Sequence, residues 1–298
     1  MALNVKTFKT RSLTAAVFVV VMLTGLLWNQ WSFFVLFSIV HFGCWTEYQK
    51  LVGLIDPDYT TIAPFHKYGV KLAGWCIMLY FTSDQFGFFG LHLHEIGWFL
   101  GLLFLFVLPI VELLFAKEIK LKNIGYSALG LLYISLSWGL MMDLRCSFIP
   151  PTKEGVFISM DNWGKLIPIA LIVSIWINDT MAYIVGSLIG KTPFSTISPK
   201  KTWEGTIGGA ILCVVVIALL GYFTAPANSF HVIHWIAIAA IAAVVGTAGD
   251  LLESKLKRMA NVKDSGHIMP GHGGFLDRFD SLLLAIPFVW LYIQLALK

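Results

Sequence analysis

Nine apolar runs separated by short polar segments constrain this chain more than any other feature. Six of them, at 97–115, 124–142, 165–188, 206–223, 233–251 and 280–297, match the roughly 20 residues that a helix needs to cross a bilayer core. Three earlier runs, at 12–28, 31–46 and 68–82, are shorter. Lipid offers the backbone no water, so each run must satisfy its own N–H and C=O groups as a helix. Composition excludes a soluble domain: only 13% of residues are charged, about half the usual share. The expectation is an all-α, polytopic membrane helical bundle of about nine spans. No internal repeat or long polar linker divides it. Residues 1–150 are expected to form an N-terminal region of about five spans. Residues 151–298 are expected to form a C-terminal region of about four spans with polar loops.

The basic residues orient these spans. With the N-terminus in the cytoplasm, and with Lys71 counted with the inner segment before it, the inner segments hold seventeen of the 21 Lys and Arg, a strong positive-inside bias. The C-terminus then lies on the outer side. The N-terminal run has no small-residue cleavage site before Asn29, so it reads as a retained span and not as a signal peptide. Cys44, Cys76, Cys146 and Cys213 lack metal-type spacing, so neither a thiolate metal site nor a disulfide framework is expected. The net charge of +4 is small, and no nucleic-acid partner is expected.

Three polar clusters crowd the inner ends of the last four spans. In the first, Asn178 and Asp179 fall within a span, where a carboxylate is costly and is expected to face the bundle interior. The nearby GSLIGKT has three residues between its glycines where a phosphate-cradling loop needs four, and it follows a membrane helix, so that reading fails. Gly190 instead reads as a helix end. In the second cluster, SPKKTWEGTIGGA, Lys200 and Lys201 sit at the membrane surface and Thr202 reads as an N-cap. Gly205, Gly208 and Gly209 would let the next helix pack closely. The third begins at Asp250. If the helix continues through Lys257, Asp250, Glu253, Ser254 and Lys257 share one face. The loop to Asp280 follows, with two histidines, four glycines and Asp264, Asp277 and Arg278.

These residue types suit phosphate chemistry with a metal. Mg2+ takes one or two carboxylates and completes its shell with water and substrate phosphates. Gly271, Gly273 and Gly274 allow backbone N–H groups near an anion. Lys200, Lys201, Lys255, Lys257, Arg258, Lys263 and Arg278 offer charge to phosphates, and His267 and His272 could bind phosphate or act as acids.

The stretch SKLKRMANVKDSGHIMPGHGGFLDRFD closely resembles the C-terminal motif of the phosphatidate cytidylyltransferases, the CDP-diacylglycerol synthases. The matching elements are Ser254, Lys257-Arg258, Lys263-Asp264, Gly266, Pro270, His272-Gly273-Gly274 and Asp277-Arg278-Phe279-Asp280. Met269 is a conservative departure. The segments from Asp179 to Gly186 and from Ser198 to Gly205 are similar to the family as well. Together these cover roughly residues 165–281, while the first 150 residues match only as hydrophobic spans.

The resemblance implies CMP transfer from CTP to phosphatidic acid, giving CDP-diacylglycerol and pyrophosphate in phospholipid biosynthesis. It also implies a Mg2+ requirement, with a second, monovalent cation such as K+ left open. Asp250 and Asp277 are the first expected metal ligands, followed by Asp280 and Asp264. Asp250, Lys257, Asp264, Asp277 and Arg278 are expected to act in catalysis. Lys200, Lys201, Ser254, Arg258, Lys263, His272, Gly273 and Gly274 are expected to bind substrate. Within that set, Lys257, Arg258 and Arg278 would hold pyrophosphate, and Lys200 and Lys201 the lipid phosphate. The implied location is the bacterial inner membrane with the site facing the cytoplasm, and glycine-rich spans make a homodimer reasonable. The rivals are a CTP-using lipid kinase, a cytidylyltransferase for another lipid phosphate and, more distantly, an ion-coupled transporter.

Overall fold

A computed structural model describes residues 5–116, 118–146, 160–224, 231–268 and 273–296. The chain forms two compact units, one of residues 1–146 and 256–279, the other of residues 147–255 and 280–298. Helix dominates both.

In the first unit, α1 (Val5–Leu27) turns into α2 (Gln30–Ile55) at Trp28 and Asn29. The turn is held by reciprocal capping. Asn29 Oδ1 accepts from the Ser32 N–H at 2.8 Å, and Ser32 Oγ accepts from the Asn29 N–H at 3.1 Å. Next comes α3 (Pro64–Tyr80), with proline at its first position, where a missing N–H costs nothing. A small hairpin of β1 (Gly87–Phe88) and β2 (Leu91–His92) leads to α4 (Leu93–Phe115). Then α5 (Leu121–Gly130) joins α6 (Ser137–Cys146) through a π turn at Leu131–Leu136.

The core of this unit gathers on α2. Phe37, Trp45 and Trp138 are fully buried, with the Phe37 and Trp138 rings 4.9 Å apart. The π turn swings Ser135 into the same core. There the Trp45 indole N–H donates to its hydroxyl at 2.8 Å, and His41 Nε2 lies 3.0 Å away. A π turn inserts one residue and re-aims the side chains around it.

In the second unit, α7 (Met160–Ile189) packs on α8 (Trp203–Thr224), followed by α9 (Val232–Met259) and α10 (Leu276–Ala296). The last turn of α9 and the first of α10 belong to the first unit. The expected close packing of α8 is present, and α7 is the neighbour. A β-carbon on Gly205 would lie 2.7 Å from the Ala182 carbonyl oxygen, and one on Gly209 would lie 2.6 Å from the Ala182 nitrogen. Gly249 of α9 similarly abuts the Asp280 carbonyl oxygen of α10, where a β-carbon would come within 2.6 Å.

Among the described residues, six helical stretches are long and apolar enough to cross a membrane: Leu93–Phe115, Leu121–Cys146, Gly164–Ile189, Trp203–Phe223, Val232–Met259 and Leu276–Ala296. Each of the three shorter runs is also helical, in α1, α2 and α3, but none meets that standard. The apolar part of α1 is only Leu13–Leu27, and α2 and α3 carry more polar residues. The structure is thus a polytopic membrane helical bundle, with α9 continuing past Lys257 as the one-face pattern required.

Packing at Gly209 can be tested against Gly125, where a β-carbon would meet nothing within 4 Å. Gly125→Ala should leave the unfolding midpoint unchanged or raise it, because alanine is favoured in a helix by about 0.5–1 kcal/mol. Gly209→Ala should lower it, at a cost of about 1–3 kcal/mol for overpacking. Thermal unfolding in detergent reads both, and equal midpoints would rule out the close α7–α8 approach.

Candidate active site

Among the described residues, the expected site residues gather in two polar clusters, one in each unit. The cluster in the first unit starts where α9 stops. Asn261 adopts a left-handed conformation with φ of 55°. The Val262 N–H returns to the Lys257 carbonyl at 3.0 Å and the Asn261 N–H to the Arg258 carbonyl at 3.1 Å. This paired Schellman closure ends the helix. The loop that follows is built around two carboxylates.

Asp277, in the first turn of α10, is the first of these. Its Oδ1 accepts from the Lys257 ammonium at 2.7 Å. Its Oδ2 accepts from the Gly274 N–H at 2.7 Å and from the Ser265 N–H and hydroxyl, each at 2.9 Å. The pair is well shielded, with side-chain exposures of 13% for Lys257 and 7% for Asp277. Gly273 has φ of 84°, and a β-carbon there would run into Asp277 Oδ2. Only glycine meets both demands.

The second carboxylate is Glu47, buried on α2 and absent from the expected site. Its Oε1 accepts from the Phe275 N–H and its Oε2 from the Leu276 N–H, both at 2.9 Å. Oε2 also lies 2.7 Å from the Ser265 hydroxyl. Glu47 therefore caps α10, satisfying two of the N–H groups that a helix start leaves unpaired and placing negative charge at the positive end of its dipole. Both Gly266 and Gly274 face it so closely that any β-carbon would collide with its carboxylate. One hydroxyl hydrogen on Ser265 stands between Glu47 and Asp277, so the two carboxylates share it.

The cluster in the second unit closes the segment between α7 and α8. Gly190 does end α7. The N–H groups of Lys191 and Thr192 and the Thr192 hydroxyl donate to Glu204, the hydroxyl at 2.8 Å. Thr202 caps α8 as expected, accepting from the Gly205 N–H at 3.1 Å. The Phe194 N–H reaches the Lys201 carbonyl at 2.8 Å, and the Phe194 and Trp203 rings lie 4.5 Å apart. This closed loop aims Lys201 at Asp250 Oδ2, a direct ion pair, while Ser254 lies 3.3 Å from Asp250 Oδ1.

The expected residues thus fall into distinct roles. Lys257 meets Asp277, and Lys201 meets Asp250, so each of the two first-choice metal ligands already faces an ammonium. Lys200 is parted from Lys201 and exposed. Arg258, Lys263, Asp264 and Arg278 are exposed as well. Asp280 is buried, its Oδ1 accepting from the Ser281 N–H at 2.6 Å. Gly274 gives its N–H to Asp277, and His272 lies outside the described residues. Asp179 departs from expectation, for it lies on an exposed face of α7 while Asn178, turned about 100° around the helix, is buried.

No group of three or more His, Cys, Asp or Glu suited to a metal occurs among the described residues. That rules out an all-protein cage there but not a Mg2+ site of the usual kind, which needs one or two carboxylates. Asp277 Oδ1 fits such a site, because it keeps acceptor capacity beside its single lysine. Glu47 itself was readable only as a charged residue in a mostly apolar stretch, HFGCWTEYQK.

Residues 9–296 match the sequence profile described as the cytidylyltransferase family. The phosphatidate cytidylyltransferase of Bacillus subtilis is 34% identical over 225 residues, which cover 74% of this chain and 76% of that protein. That of Synechocystis is 34% identical over 61% of this chain and 66% of its own length. Phosphatidate cytidylyltransferase 4, chloroplastic, of Arabidopsis thaliana is 32% identical over 65% and 51% respectively.

Replacing Glu47 by Gln would set an amide NH2 against either the Phe275 N–H or the Leu276 N–H, each of which only donates. The expected cost is about 1–3 kcal/mol, the penalty for a buried unsatisfied group. It should appear as a lowered unfolding midpoint, and an unchanged midpoint would deny Glu47 its capping role.

Proposed function

The chain belongs to the cytidylyltransferase family, and from that premise we propose that it transfers CMP from CTP to phosphatidic acid. The products are CDP-diacylglycerol and pyrophosphate. The observation that carries this reading is the loop from Lys257 to Asp277. It is the segment with the family motif, and its described residues fold around a buried carboxylate while Arg258 and Lys263 stay exposed.

The chemistry follows from charge. An oxygen of the lipid phosphate attacks the α-phosphorus, and the bond between the α-phosphorus and the bridging oxygen to the β-phosphate breaks. The attacking monoester is already largely anionic near neutral pH, so no strong base is needed. The difficulty is bringing two polyanions together, and positioning with electrostatic stabilisation answers it. Arg258, Lys263 and Arg278 are exposed and suited to the leaving pyrophosphate. Lys257 is held by Asp277 with its ammonium fixed in place. Lys200 is free to meet a lipid phosphate at the surface, whereas Lys201 and Ser254 stay on Asp250.

Mg2+ bound there would neutralise phosphate charge. Asp277 is the first candidate to hold it, with Asp250 and Asp280 next and Asp264 as an exposed alternative. We place the site on the cytoplasmic face of a bacterial inner membrane, on the strength of the positive-inside bias. The α8 glycines pack on α7 of the same chain, so they supply no argument for a homodimer.

Purified protein given Mg2+, phosphatidic acid and CTP labelled at the α-phosphate should form labelled CDP-diacylglycerol. Label at the γ-phosphate should leave in pyrophosphate, and its appearance on lipid would instead identify a kinase. Chelation should abolish turnover and added Mg2+ restore it. Asp277→Asn should lower kcat by about a hundredfold or more, the scale of losing a preorganised charge. Near-normal turnover in that variant would remove Asp277 from the mechanism.

A further inference from the structure

The first unit holds a cavity of about 560 Å3 between α3, α4 and α5, within the range of about 300–1,000 Å3 typical of small-ligand sites. Most of its wall is apolar, with Val70, Ile77, Leu105 and Leu108 among the lining residues. One end is polar and plays no part in the chemistry above. There His66 Nδ1 lies 3.0 Å from Glu112 Oε2, and His66 Nε2 lies 2.8 Å from Ser127 Oγ. The Tyr59 hydroxyl lies 3.0 Å from the same Ser127 oxygen.

These contacts have a direction. A carboxylate accepts, so His66 carries its hydrogen on Nδ1 and Nε2 is left to accept from Ser127. Ser127 in turn accepts from Tyr59. Donation therefore runs from Tyr59 to Ser127 to His66 and ends on Glu112, consuming every donor. Glu112 Oε1 accepts no hydrogen bond among the described residues, and Glu112 lines the cavity. A ligand at this end must donate, and a phosphate or carboxylate head would meet a carboxylate.

The cavity runs along the helices, from His66 near the start of α3 to Tyr80 at its end. Fourteen residues of helix span about 21 Å. That depth suits one long acyl chain, with its head at the end marked by His66 and Glu112. We propose that this cavity binds a single-chain neutral lipid with a free hydroxyl, the hydroxyl donating to Glu112. Such a site is distinct in chemistry from any that receives phosphatidic acid, whose head is an anion.

The test uses the full-length protein in phosphatidylcholine nanodiscs and a monoacylglycerol with a diazirine in its acyl chain. After illumination, labelled peptides are mapped by mass spectrometry. Saturable labelling of α3 and α4 is expected. Unlabelled monoacylglycerol should displace it at least tenfold better than the matching lysophosphatidate. Gly101→Leu should fill the cavity and abolish the label. A β-carbon at Gly101 meets nothing closer than Cys76 Cβ at 3.8 Å, so folding and CMP transfer should persist. Val70→Phe is a second filling variant should the first fail to fold. Glu112→Gln should narrow the preference over lysophosphatidate at least tenfold. Non-saturable labelling, or labelling unchanged when the cavity is filled, would reduce the contact to bulk lipid and overturn the proposal. Displacement by lysophosphatidate equal to that by monoacylglycerol would overturn it as well.

Discussion

The motif loop depends on one buried charge, the Glu47 carboxylate. It accepts from the first N–H groups of α10 and from Ser265, and it has glycines on either side because nothing larger fits. Remove that acceptor and the start of α10 has buried donors without partners. Asp277 would then lose the framework that holds Ser265 and Gly274 against it. A residue far from the motif in sequence thus sets the geometry of the motif's central aspartate.

This arrangement gives the glycine-rich loop a different reading from the one its composition suggests. Gly273 and Gly274 in the sequence imply a backbone able to approach an anion, and in the structure it does. The anions, however, are the protein's own carboxylates, Asp277 and Glu47. Arg258, Lys263 and Arg278 are exposed cations around the loop, and under the proposed function the substrate-facing charge falls to them. The ion pairs Lys257–Asp277 and Lys201–Asp250 show the same economy, since each sets an ammonium of the protein's own against a carboxylate.

The helices were legible because lipid imposes a length and an apolarity that a single sequence displays directly. The end of α7 at Gly190, the cap at Thr202 and the continuation of α9 past Lys257 were legible too, since each rests on local chemistry within a few residues. Glu47 was not, because its partners lie 218 to 229 positions away and no local pattern marks them. Asp179 misled for a related reason. Adjacent Asn178 and Asp179 lie on different faces, and only packing decides which one turns inward. The different placement of Lys200, exposed, and Lys201, on Asp250, likewise required the closed loop between α7 and α8.

The link between α2 and the start of α10 has a consequence in biosynthetic time. Glu47 is made early, yet the groups that complement it arrive only with residues 265 to 276. At about 5–20 residues per second, a ribosome needs roughly ten to fifty seconds to reach them. Throughout that interval the nascent chain carries an unmatched carboxylate among helices already able to enter the membrane. A chain halted before α10 would keep that charge exposed, a mark by which an unfinished copy differs from a complete one.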